Sequence, residues 1–227
     1  VVICVALAGS LIRMGNFTNS EIYGDPVNHP TETVFFRPVL DYFDSYFSNI
    51  IDESEFNPTG EYLASDSLSL PEYELIITPK PGVSIGTIQS VLELQMEPMF
   101  NSQNKDSRHL YIPKNSYFSP IGNNLYATSI YGIPRFPTQL FEAAGYLLIF
   151  IILFLLGENN QLTHRGRIFG LFLILVFGFR IGIEFLKANQ KSFEATMNLN
   201  MGQILSIPLV LTGLYLLINS LRTNIRN

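Results

Sequence analysis

IFGLFLILVFGFRIGIEFL, residues 168–186, carries only two charged side chains, Arg180 and Glu184. A helix needs about 20 mostly apolar residues, at ~1.5 Å each, to cross the roughly 30 Å hydrocarbon core, so this stretch predicts a membrane span. Working outward, residues 201–221 contain no charge and predict another span, and residues 143–156 contain none either. That third run reaches spanning length when its helix begins near Thr138, which puts Gln139 and Glu142 in its outer turn. Residues 1–12 are apolar but too short to span alone. They lack the basic start and small-residue cleavage site of a signal peptide, and the chain begins at Val1. The expectation is a chain cut inside a membrane helix, with an upstream portion absent.

Between these runs, residues 25–136 hold 14 acidic and 6 basic residues. In 37–52, Leu40, Phe43, Phe47 and Ile50 share one side, as in an amphipathic helix. Residues 74–77, 83–88 and 125–130 read as strands, and 57–66 and 101–108 as polar loops. The loop 157–167 carries His164, Arg165 and Arg167, and the tail carries Arg222 and Arg226, so both read as cytoplasmic; Lys187 and Lys191 weaken that contrast without reversing it. The fold class that follows is mainly α. It is an integral membrane helical bundle with three complete spanning helices and a truncated one, bearing a small α+β extracytoplasmic head. The expected divisions are 1–24, 25–136 and 137–227.

Composition narrows the chemistry. A net charge of −5 argues against a nucleic-acid partner. Cys4 is the only cysteine and reads as a small core residue, and His29, His109 and His164 are scattered without metal-ligand spacing. No metal site and no cofactor is expected.

Polar residues at membrane depth carry the functional signal. Arg180 and Glu184 are four apart and share a helix face, and such residues cost about 2.5–3.5 kcal/mol to insert. They form either a mutually neutralising structural pair or a cation kept for an anionic ligand and oriented by its carboxylate. Gly178 and Gly182 flank Arg180 at a spacing that lets a neighbouring helix approach closely. Pro208 implies a kink or a freed carbonyl in the third span. At the outer end of the first apolar run, RMGNFTNSEIYG (13–24) gathers Arg13, Asn16, Asn19 and Glu21 between glycines. That is a hydrogen-bonding surface suited to phosphate and glycerol hydroxyls, or a capped helix end.

RMGNFTNSEIYG resembles the signature R-x-G-N-F-x-N-x-E-x-x-G of the prolipoprotein diacylglyceryl transferases. PRFPTQLFE (134–142), FRIGIEF (179–185) and MGQILSIP (201–208) are similar to three further motifs of that family, in the same order. The resemblance implies a multi-pass enzyme of the bacterial plasma membrane with a cytoplasmic carboxy terminus. Such an enzyme moves a diacylglyceryl group from phosphatidylglycerol to the lipobox cysteine of a preprolipoprotein signal peptide within the lipid bilayer, making a thioether and releasing glycerol phosphate. It implies catalytic roles for Arg13, Arg180 and Glu184, and substrate binding by Asn16, Asn19, Glu21, Gly24, Gln139 and Glu142. The family's H-G-G motif is not in the chain, Phe136 stands at a histidine position and Phe141 at a tyrosine position. The 227-residue chain by itself is therefore expected to transfer nothing, and the alternative is a non-catalytic membrane protein that retains a phospholipid-binding site.

Overall fold

The computed structural model describes residues 1–64, 68–103, 108–158, 166–188, 197 and 199–225. Along the chain run α1 (Val2–Thr18), α2 (Arg37–Tyr46), β1 (Ile51–Ala64), β2 (Ser69–Pro79) and α3 (Ile85–Val91). A π-helical turn at Leu92–Met96 leads into α4 (Glu97–Ser102), and β3 (Leu110–Tyr111), β4 (Ser119–Gly122) and β5 (Leu125–Gly132) follow. Then come α5 (Thr138–Glu158), α6 (Arg167–Ile183), a 3-10 turn at Glu184–Leu186, and α7 (Met201–Ile225). The chain divides into two compact units, Val1–Gly24 with Pro137–Asn227, and Asp25–Phe136.

The first unit is helical. Thr138–Glu158, Arg167–Leu186 and Met201–Arg222 are each long and apolar enough to cross a membrane, which makes this a multi-pass membrane protein. The α5 helix starts at Thr138, just after Pro137, a residue whose fixed φ suits a helix start. α1 lies against α5, with Ala6 packed among Tyr146, Ile149 and Leu153. The Ser10 hydroxyl donates to the Ala143 carbonyl at 2.8 Å. α6 and α7 approach most closely at Gly170 and Gly213, where a Cβ on either glycine would stand 2.7–2.8 Å from the other's carbonyl oxygen. At the same crossing, Arg167 at the start of α6 meets the Ser220 hydroxyl of α7 at 3.4 Å. Pro208 sits inside an unbroken α7, where Thr212 donates to its carbonyl at 2.8 Å.

Two readings of this unit are corrected. Gly178 and Gly182 have nothing within 4 Å of a built Cβ, so the close helix approach is at Gly170 and Gly213 instead. Spacing alone says that two small residues share a face, and not which face is covered. Cys4 is exposed rather than in the core, because an apolar run without polar positions does not reveal its buried side. His164, Arg165, Lys191 and Arg226, used above to orient the spans, lie outside the described residues.

The second unit is an α+β body built on an antiparallel sheet of order β1-β2-β5-β3, with β4 also paired to β5. Its core joins Val39, Phe43 and Phe47 to Leu75 and Ile77 of β2, Ile130 of β5, and Ile88, Leu92, Met96 and Phe100 from the helices. Residues 57–64, expected as loop, belong to β1, with Pro58 opposite Tyr73 and Tyr62 opposite Pro71. The pairing is made by backbone, and the side chains stay exposed, so no alternation marked this strand. Residues 83–88, expected as strand, instead open α3. Gly82 (φ 87°) turns the chain after β2, and the Ser84 hydroxyl caps the helix by accepting from the Thr87 N–H at 3.2 Å. The amphipathic helix expected over 37–52 ends at Tyr46, and Ile51 already begins β1.

Candidate functional site

The antiparallel run of the helical unit brings four chain ends to one place: the end of α1, the start of α5, the end of α6 and the start of α7. Arg13 of α1 reaches the fully buried Glu142 of α5, Nε to Oε2 3.2 Å. With its amide oxygen turned toward Arg13, the orientation that satisfies both ends, Asn16, one turn on, accepts from Arg13 Nη1 at 3.2 Å and donates to the Ile12 carbonyl at 3.3 Å. Arg180 lies 3.5 Å from Glu184 across one turn, Nε to Oε1. Lys187 Nζ stands 3.0 Å from Glu142 Oε1 and 2.9 Å from Glu184 Oε1. Buried ions persist only when paired, and the buried Glu142, Glu184 and Lys187 each have an opposite charge within reach, as do the partly exposed Arg13 and Arg180.

α7 closes the array. Asn200 and Gln203 form a reciprocal capping box, with Gln203 N–H donating to Asn200 Oδ1 at 2.9 Å and Asn200 N–H to Gln203 Oε1 at 3.2 Å. The same Asn200 amide donates to Glu184 Oε2 at 3.0 Å. A Cβ on Gly202 beside it would press on the Glu184 carboxylate and displace it. The Tyr146 hydroxyl points to Glu142 Oε1 at 3.5 Å.

After α1 the backbone turns sharply. Ser20 (φ 56°) and Ile22 (φ 57°) occupy the left-handed region, which for a β-branched isoleucine is a strained conformation held by its surroundings. The turn aims successive carbonyls at α5: Gln139 Nε2 donates to Glu21 O at 2.7 Å, and the Thr138 hydroxyl to Ile22 O at 3.2 Å. Gly24 then forms an antiparallel bridge with Lys187.

Of the expected site residues, Arg13, Asn16, Gln139, Glu142, Arg180 and Glu184 come together, and Gly24 joins through its backbone. Asn19 and the Glu21 side chain are exposed; Glu21 enters through its carbonyl, because the strained turn aims that group inward. Sequence reasoning missed Lys187, Tyr146 and Asn200. The available signals were the three-residue step from Glu184 to Lys187 and the N-x-x-Q capping pattern at 200–203.

Three cations against two carboxylates leave a formal surplus of one positive charge. Arg180, with 34% of its side chain exposed, is the cation most open to an incoming group, and Arg13 follows at 14%. Each of the two guanidiniums is already oriented by a carboxylate, an arrangement suited to receiving an anionic group.

The family model described as prolipoprotein diacylglyceryl transferase matches residues 1–219. The chain belongs to that family. The phosphatidylglycerol–prolipoprotein diacylglyceryl transferase of Bacteroides fragilis is 51% identical over 83 residues, 36% of this chain and 30% of that protein. Its counterpart in Tolumonas auensis is 43% identical over 94 residues, 41% of this chain and 36% of the other. For Protochlamydia amoebophila the figures are 44% over 85 residues, 37% and 23%. The match thus spans 23–36% of the length of these three relatives. No solved structure matches the chain.

Proposed function

We propose that this chain supplies the phosphate-binding part of an enzyme that transfers diacylglyceryl from phosphatidylglycerol to the lipobox cysteine of preprolipoproteins in the bacterial plasma membrane. The observation that carries this reading is the convergence of Arg13 and Arg180 on paired carboxylates, with one positive charge in surplus. Names and motifs of the family agree with it. In the reaction, the cysteine sulfur bonds to the glycerol carbon of the diacylglyceryl group and the bond from that carbon to the phosphate oxygen breaks. The thiol proton is released, and glycerol phosphate leaves with one more negative charge than the diester carried. That added charge is what Arg13 and Arg180 would meet. Asn16 holds Arg13, Glu184 and Asn200 hold the Arg180 side, and Gln139 with the 20–22 turn fixes the α1–α5 junction. In this reading the 25–136 unit is extracytoplasmic and the carboxy terminus cytoplasmic.

The test is a chimera in which the corresponding three-helix portion of the Bacteroides fragilis relative is replaced by residues 137–227 of this chain. We expect it to lipidate a lipobox peptide from phosphatidylglycerol. A folded chimera that binds phosphatidylglycerol without transferring it would favour the non-catalytic reading, which Phe141 in place of tyrosine motivates.

A further inference from the structure

Lys187 lies behind the two arginines. Its side chain is 3% exposed, against 14% for Arg13 and 34% for Arg180, so an incoming headgroup meets the guanidiniums and not the ammonium. The backbone at Lys187 is pinned by the bridge to Gly24, by its own N–H to Glu184 O at 3.4 Å, and by Ala188 N–H to Tyr23 O at 3.4 Å. From that fixed point Nζ touches one oxygen of each carboxylate, and among the described residues it is the only ion-pair link between Glu142 and Glu184. The order of the array is Arg13–Glu142–Lys187–Glu184–Arg180.

We propose that Lys187 is a positioning and specificity-determining residue: it clamps the two carboxylates together, fixes the separation of the two arginines, and supplies the surplus charge that selects an anionic phosphodiester headgroup over a zwitterionic one. This rests on the phospholipid reading above. Without the ammonium, Glu142 and Glu184 face each other across a neutral gap. Like charges at that range in a poorly screened site repel strongly, and the nearest cations, Arg13 and Arg180, are drawn into the gap. The formal charge of the array falls from one to zero, and both guanidiniums turn from the ligand toward the carboxylates. Tyr146 from α5 and Asn200 and Gln203 from α7 are neutral and cannot replace the lost charge.

The experiment uses the whole 227-residue chain in phosphatidylcholine nanodiscs, titrated with fluorescent phosphatidylglycerol, with thermal unfolding followed in the same discs. The unsubstituted chain is expected to prefer phosphatidylglycerol over phosphatidylcholine. Lys187→Met should lower that preference roughly tenfold, the scale of one unit charge lost at short range in a weakly screened site. Lys187→Arg should keep most of it. The double variant Lys187→Met, Glu142→Gln restores the surplus charge and should regain most of the preference; it also decides the matter where Lys187→Met alone does not fold. A folded Lys187→Met chain with unchanged preference, or a folded double variant as unselective as the single, overturns the proposal and leaves the phospholipid reading standing. An unsubstituted chain with no preference at all removes that reading, and this inference with it.

Discussion

Arg180 and Glu184 were legible as a pair because they stand four apart in a run that otherwise excludes charge. Whether the pair only neutralises itself is decided by its company. Glu184 is already held by Lys187 and Asn200, so it does not need Arg180 to be satisfied, and Arg180 sits at the longest of the ion-pair distances in the array, 3.5 Å. A guanidinium so placed is available to a ligand. In the transfer-competent chimera, Arg180→Lys should therefore cut turnover sharply with membrane abundance unchanged, since an ammonium cannot make the planar two-pronged contact. One charge-assisted hydrogen bond made only in the transition state is worth about 1.5–3 kcal/mol, or roughly 10- to 150-fold in rate. Near-normal turnover by Arg180→Lys, or by the Arg180→Leu, Glu184→Leu double variant, would show the pair to be structural, because a buried ion pair is often no better than its apolar replacement. Lys187 escaped the sequence reading for a physical reason. A lysine just past a span reads as an interfacial charge, and nothing local shows that a carboxylate 45 positions earlier lies 3.0 Å away.

Among the elements, α6 and α7 show how one residue type takes opposite roles along a single helix. Gly170 and Gly213 let two backbones meet, whereas Gly178 and Gly182 face open space. Gly213→Leu should force α6 and α7 apart and destabilise the helical unit by about 1–3 kcal/mol, the usual cost of overfilling a packed contact. It should also loosen Asn200 from Glu184, since α7 carries both the crossing and the cap. Gly178→Ala should leave stability unchanged or raise it slightly, given the roughly 1 kcal/mol advantage of alanine over glycine within a helix. Thermal unfolding in detergent compares the two; equal losses from both would mean that the crossing is not where the structure puts it. In the second unit the misread elements fail for related reasons. β1 hides its strand character because its polar side chains stay in solvent. The Val83–Ile85–Ile88 spacing fits either period, and the Ser84 cap with the Gly82 turn settles it as a helix.

For the molecule as a whole, Arg167 opens α6 and Arg222 lies in the last turn of α7, so both mark the same ends of antiparallel spans. From the positive-inside rule we propose that those ends face the cytoplasm and the 25–136 unit faces away from it. With Cys4 replaced by serine, an impermeant thiol reagent applied to intact cells should label Tyr117→Cys and spare Glu158→Cys, both native side chains being exposed. Labelling of Glu158→Cys alone would reverse the orientation. By itself the sequence determined that three segments cross a membrane, because hydrocarbon tolerates so few charges that length and composition decide the matter. It also determined which polar residues interrupt that apolar background, and hence that Arg13, Glu142, Arg180 and Glu184 needed an explanation. Only the tertiary structure decided who satisfies whom. Ion pairs form between residues distant in the chain, and the strength of each depends on distances and screening that no local pattern encodes. The strained turn at Ser20 and Ile22, the Gly170–Gly213 crossing, the Asn200 cap on Glu184 and the Lys187 clamp are all of that kind, and together they turn scattered charges into one array.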